Sequence, residues 1–279
     1  MAIYMAMLIS ASEGRDFMKE FDAKKTTDEL LEWIKETVGN CNTVIGISGG
    51  KDSTIGAMLA VLALSKEKVW GIMIPDGKQK DIADSQRVSR LLGINNRTVN
   101  IGGVTSALRD AFNDAYIVNT RREKFNDVYE TNTPARIRMT TLYGAAAIIG
   151  NARVMNTCNG SEDYVGYATK FGDSAGDYSP LANLTIKEVL AIGVECANRL
   201  NIYEEIKDLI FKTPDDGMSN KSDEEKLGFT YSVLDDYIRL GVCDDLKTKE
   251  TIDKMHAANL HKLLPMPKFV PSCYDSIKL

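Results

Sequence analysis

Short apolar runs alternate with segments of helical spacing through the first half of the chain. Val44-Ile45-Gly46-Ile47 has no polar interruption, which marks a short strand buried on both faces. Similar runs follow at residues 68–74, 97–101 and 153–157. Between them, apolar positions recur at helical spacing over 26–38, 55–60, 79–92 and 103–116. Thr26 or Thr27 is placed to cap the first of these helices. Pro134 is expected to open a further helix at its first position, continued over 135–149. Strands alternating with helices predict an α/β fold: a parallel sheet with helices on both faces and right-handed crossovers. From residue 184 the pattern is helical, over 184–200, 203–211, 231–240 and 247–262, so the C-terminal part is a helical annex. The polar stretch 212–223 reads as a loop of functional length. The tail over 265–273, PMPKFVPSC, is excluded from helix by its prolines.

Ligands in such sheets sit beyond the carboxyl ends of the strands. Ser48-Gly49-Gly50-Lys51-Asp52-Ser53-Thr54 follows the first strand at once and leads into a helix. A glycine bend at a helix start aims backbone N–H groups at an anion, and the helix dipole adds roughly half a positive charge there. Gly49 and Gly50 accept φ > 0 and leave no side chain in the way of a phosphate. Ser48, Ser53 and Thr54 supply hydroxyl donors. Asp52 is electrostatically wrong beside a phosphate unless a cation or an amine lies between them. The run fits neither the Walker A loop nor the G-x-G-x-x-G dinucleotide fingerprint.

The chain has 279 residues, 44% hydrophobic and 26% charged, enough for one large domain with a substantial core. A net charge of −5 argues against nucleic acid or an anionic membrane as partner. Five scattered cysteines without C-x-x-C spacing point to reduced thiols in a cytoplasm. With His256 and His261 as the two histidines, a multi-histidine metal site is excluded, whereas magnesium held by oxygens is allowed. The apolar N-terminal run is too short to span a bilayer and reads as a packed or partner-facing segment.

The loop Ser48–Thr54 resembles the S-G-G-x-D-S pyrophosphate loop of the ATP pyrophosphatase superfamily. Downstream the chain resembles the synthetase domain of the NAD synthetase family. That family reads G-T-x-x-x-x-E, then G-Y/F-x-T-K-x-G-D, then D-x-x-P. Here stand Thr157 to Glu162, then Gly166-Tyr167-Ala168-Thr169-Lys170-Phe171-Gly172-Asp173, then Asp177 and Pro180. Pro75-x-Gly77-x-Gln79, Asn132 to Met139 with Tyr143, Ser222-Asp223-Glu224, and His261-Lys262 follow the family's order. The resemblance spans roughly 26–267 within a single domain and implies a Rossmann-like α/β fold. It implies a ligase that amidates deamido-NAD to NAD with ATP and ammonia through an adenylated carboxylate, releasing AMP and pyrophosphate.

By that resemblance, ATP would lie on Gly46, Ile47, Ser48, Gly49, Gly50, Lys51, Asp52, Ser53, Thr54, Gln79 and Thr157. Asp52 and Glu162 would hold magnesium. Asn132, Arg136, Tyr143, Lys170, Asp177, His261 and Lys262 would contact deamido-NAD. Asp52, Ser53, Lys170 and Asp173 would serve the chemistry. Arg138 lies about 200° round the helix from Arg136, so the two cannot share a face, and Arg138 is assigned to a structural carboxylate. Lys51 holds the family's variable loop position and points either to the phosphates or to solvent. Three positions depart from the pattern: Ile186 replaces a phosphate-touching lysine, with Lys187 one step on. Asp215 stands where a Thr or Ser is common, and Cys158 where many relatives carry an acid. The segment before Thr26 is far too short for the amidohydrolase domain of glutamine-dependent relatives, which implies free ammonia as nitrogen source. The family implies a homodimer. The alternative is another pyrophosphate-loop amidating ligase of the GMP synthetase type, against which the Gly166–Asp173 run weighs.

Overall fold

A computed structural model describes residues 21–78, 82–115, 125–212 and 223–271. The N-terminal run, Gln79, Asp81, Thr213 to Ser222 and Cys273 lie outside the described residues.

The elements run α1 (Ala23–Val38), β1 (Asn42–Gly46), α2 (Lys51–Leu64), a 3-10 turn (Lys66–Lys68), β2 (Val69–Met73), α3 (Ile82–Leu92) and β3 (Asn95–Thr98). They continue with α4 (Gly102–Asp114), α5 (Asp127–Ile149), β4 (Ala152–Met155) and α6 (Gly160–Val165). The helical annex comprises α7 (Ile186–Arg199), α8 (Tyr203–Ile210), α9 (Asp223–Leu227), α10 (Tyr231–Leu240) and α11 (Leu246–Leu263). The four strands form one parallel sheet in the order β3-β2-β1-β4.

Period-two alternation sends successive strand side chains to opposite faces, and both faces are covered. On one, Ile45, Met73 and Met155 pack with Ile34 of α1, Ile55, Met58 and Leu59 of α2, Ile192 of α7 and Ile206 of α8. On the other, Val44, Ile72 and Val154 pack against Leu142, Ala146 and Ile149 of α5. Each such side chain removed from water contributes about 1.5–3 kcal/mol before entropy is counted. Helix α2 is buried from Ile55 through Ala60, which is why its sequence shows no polar stripe. It lies so close to α7 that a Cβ on Gly193 would stand 2.7 Å from Ile55 Cδ1. A separate cluster of Val165, Ile186, Phe229, Tyr231, Leu234 and Ile252 fastens α6 to the annex.

Two expectations need correction. Strand β3 is the polar Asn-Asn-Arg-Thr segment, and the apolar stretch after it only continues the pairing through Val99 N–H to Met73 O at 2.9 Å. An edge strand pairs on one side and needs no apolar run. Pro134 does not open its helix: α5 starts at Asp127, capped by the Asn126 side chain, which accepts from Tyr129 N–H at 2.9 Å. Phe112 and Phe125 pack their rings on Tyr129, and this contact holds the added first turns against the missing donor of Pro134.

Candidate functional site

The bend between β1 and α2 has the anticipated geometry. Gly49 has φ +80°, and Gly50 is the N-cap of α2 with no side-chain cap hydrogen bond. The bend is braced from within by hydroxyls. Ser48 and Ser53 Oγ atoms lie 3.0 Å apart, and Thr54 Oγ1 donates to Gly50 O at 2.8 Å. Gly50 N–H donates to Ser48 Oγ at 3.2 Å. The helix start itself presents N–H groups and the positive end of a fourteen-residue dipole.

Glu162 comes to this bend from another part of the sheet. Asn159 Oδ1 caps α6, accepting from Ser161 N–H at 3.1 Å and Glu162 N–H at 3.0 Å, while its Nδ2 donates to Asp52 Oδ1 at 3.3 Å. One buried amide therefore sets both acids. Sequence reasoning passed over Asn159; the signal was an N-cap residue three places before the first acid of a helix's first turn.

Lys51 does not point to solvent but turns in beside the two acids. Its side chain is 5% exposed, and its ammonium lies 2.8 Å from Asp52 Oδ2 and 3.7 Å from Glu162 Oε1. The amine required beside Asp52 is the preceding residue in the chain. Burial disfavours the charged ammonium, but the Asp52 and Glu162 carboxylates outweigh it and hold Lys51 above the usual lysine range. Burial and the Asp52 charge push Glu162 up to about 8, Lys51 opposing them.

The donor chemistry suits magnesium. Among the described residues no three acidic, histidine or cysteine side chains gather as a complete cage. Magnesium is commonly held by one or two carboxylates together with substrate phosphates and waters. Asp52 and Glu162 flank a phosphate-type bend, and the raised Glu162 carboxyl marks a pair short of positive charge. The Tyr231 hydroxyl, buried in the field of Glu162, Asp223 and Asp52, has no hydrogen-bond partner among the described residues.

The segment after β4 folds over the same strand ends. Asp173 Oδ1 accepts from Thr169 N–H at 2.8 Å, and Thr169 Oγ1 donates to Asn132 Oδ1 at 2.8 Å. The Lys170 ammonium reaches the His261 carbonyl, and Lys262 Nζ donates to Gly166 O at 2.7 Å, so both lysines tie this loop to α11. Arg136 Nε donates to Lys170 O at 3.3 Å. Arg138 Nε donates to Ile74 O at 3.1 Å; burial lowers its pKa against the charges of Asp76 and Asp173. Asp177 is engaged by protein on both oxygens, from Val154 N–H at 2.7 Å and Tyr143 Oη at 3.2 Å. It holds β4 in place. Thr157 packs against α2, its Cγ2 3.4 Å from where a Gly56 Cβ would stand. His261 is exposed at the end of α11. Cys158 is buried, and burial pushes its thiol well up, so it does not replace an acid. Ile186 is buried in the annex cluster, and Lys187 Nζ pairs with Asp236 at 2.8 Å.

Comparison with known proteins gives a consistent result. The NAD synthase family profile matches residues 25–268. The NH(3)-dependent NAD(+) synthetase of Pyrococcus horikoshii is 37% identical over 222 residues, covering 79% of each chain. That of Thermococcus sibiricus is 37% identical over 237 residues, 84% of this chain and 86% of the relative. Among solved structures, the NMN synthetase of Francisella tularensis superposes with a TM-score of 0.77 at 28% identity, covering 91% of this chain and all of that one. The NH3-dependent NAD synthetase of Campylobacter jejuni superposes with a TM-score of 0.67 at 26% identity, covering 90% of this chain and all of that one.

Proposed function

The chain belongs to the NAD synthase family, and from that premise we infer that it is an ammonia-dependent NAD synthetase, a ligase that amidates deamido-NAD to NAD at the expense of ATP. The observation that carries the reading is a phosphate-type glycine bend at the start of α2, beside Asp52 and Glu162 and inside the family match.

We assign the steps as follows. The bend amides and the hydroxyls of Ser48 and Ser53 hold the pyrophosphate half of ATP. The nicotinate carboxylate oxygen attacks the α-phosphorus, and the P–O bond to pyrophosphate breaks. Ammonia then attacks the activated carbonyl carbon, loses a proton, and AMP leaves, giving the amide. Asp52 and Glu162 would hold magnesium, which when bound neutralises charge on the phosphates. Lys170 and Asp173 order the loop that covers the dinucleotide. Asn132 and Arg136 face deamido-NAD, a reading supported by their hydrogen bonds to Thr169 and the Lys170 carbonyl of the covering loop. Gln79, Thr157, His261 and Lys262 complete the nucleotide contacts.

A homodimer is part of the proposal. Helix α4 buries no residue, and α5 buries only Pro134, Ala135 and Ala146, while Ile148 is 90% exposed. Such an apolar face suits a second copy. Sedimentation at micromolar concentration is expected to give twice the monomer mass; a monomer would remove this part. No helix of the described residues is long and apolar enough to cross a membrane. The four described cysteines are free thiols, which supports a reducing, cytoplasmic setting.

The deciding experiment supplies ATP, magnesium, ammonium and deamido-NAD. NAD, AMP and pyrophosphate are expected in equal amounts. ADP as product would exclude adenylation. Nicotinate mononucleotide in place of deamido-NAD is expected to turn over far less; preference for it would move the substrate to the smaller nucleotide. Glutamine in place of ammonium is expected to nearly stop turnover, and equal rates would overturn the nitrogen source.

A further inference from the structure

Among the described residues, Lys51 is the one lysine in the buried class. Burying an ammonium is costly unless it is paired, and this one is paired with the two acids assigned to the metal. It sits at the first turn of α2, where the helix dipole favours anions over cations. Its placement is therefore set by Asp52 and Glu162 and not by the helix. A divalent cation and an ammonium seek the same carboxylate oxygens, and both cannot occupy the space between two acids at full strength.

We propose that Lys51 is a resident counter-cation of the Asp52–Glu162 pair, which a divalent cation must displace before it binds there. In the free protein the ammonium lies between the acids, neutralising them in part, and holds the metal off. When a nucleotide lies in the bend, its phosphates offer the displaced ammonium a new anion. Metal and nucleotide thus favour each other by the same factor, as linkage requires. The device makes metal loading wait for the substrate that needs it. It rests on the metal role proposed above for Asp52 and Glu162.

The test uses nucleotide-free protein and Mn2+ as probe, read by the electron paramagnetic resonance of unbound Mn2+. Lys51→Met keeps the stem that packs in the buried site and removes the charge. It is expected to bind Mn2+ about tenfold more tightly than the unaltered chain. Lys51→Arg, which retains the charge, is expected to bind as weakly as the unaltered chain. Magnesium is also expected to raise the melting temperature of Lys51→Met more than that of the unaltered chain. Should Lys51→Met fail to fold, Lys51→Gln is read in the same way. Equal or weaker Mn2+ affinity in the uncharged variant, with Glu162→Gln abolishing binding, overturns the role of Lys51 alone. Mn2+ binding that is absent in all variants, or untouched by Glu162→Gln, overturns the metal role of the acids and this inference with it.

Discussion

Asp52→Asn and Glu162→Gln are each expected to lower kcat for NAD formation by about 10³-fold, the scale on which removal of a preorganised electrostatic group costs an enzyme. Alanine at either position is expected to do at least as much. The amide variants keep shape and hydrogen-bonding reach, so the loss reports charge. Asn159 still caps α6 and still reaches residue 52 in both. Near-normal turnover in either variant would remove that acid from the site. Stability supplies the control, because the two effects have opposite signs. Glu162 is held up to about 8 by burial and the Asp52 charge, against an ordinary value of 4.5. A carboxyl raised on folding binds more protons in the native state than in the unfolded one. Its contribution to stability is complete below about 4.5 and is lost as pH climbs through 8. Without metal, the unaltered protein should therefore lose melting temperature over that range. Glu162→Gln, which stands for the protonated form, should lose less. A variant that is inactive yet more stable at high pH separates a lost function from a lost fold.

Gly160→Ala is expected to damage fold and activity together. A Cβ at Gly160 would stand 2.9 Å from Ala182 O, 3.0 Å from Leu184 O and 3.2 Å from Leu184 N. All three are backbone atoms, and Gly160 N–H is already bonded to Leu184 O at 2.7 Å. Relief requires α6 to lift off the 182–184 segment, and Glu162 moves with it. The expected costs are about 1–3 kcal/mol of stability by denaturant unfolding and about 10²-fold in kcat from misplacement of Glu162. Gly144→Ala is the comparison variant for the chain by itself, since Gly144 shares the exposed α5 face proposed for a second copy. Nothing lies within 4 Å of its added Cβ, and a glycine inside an exposed helix face gains about 0.5–1 kcal/mol on becoming alanine. Equal stability of Gly160→Ala and the unaltered chain would show that the segment yields without cost.

Much of the site was legible because the relevant chemistry is local in sequence. Ser48 to Thr54 needs only a strand before it and a helix after it to become an anion cradle, and both are written in the flanking apolar runs. Asp52 beside that cradle already called for a positive neighbour. Helix α5 was misread at its start because the cue used, a proline, is local, whereas the Asn126 cap and the aromatic packing around Tyr129 draw on residues outside the periodic run. Strand β3 was misplaced because this edge strand is polar throughout, Asn-Asn-Arg-Thr, and none of its residues is buried. The two protein partners of Asp177, which tie it to β4 and to Tyr143, are set by the fold and by no local pattern.

The sequence by itself determined the α/β alternation and the glycine bend with Asp52 beside it, since strand and helix periods and turn chemistry act over a few neighbouring residues; Glu162 entered through the family resemblance. The tertiary structure alone decided that Asn159 reaches Asp52 across 107 positions and that Lys51 turns inward between Asp52 and Glu162. Parallel strands bring distant segments to one sheet edge. There burial and charge select a single arrangement of side chains that no local pattern encodes.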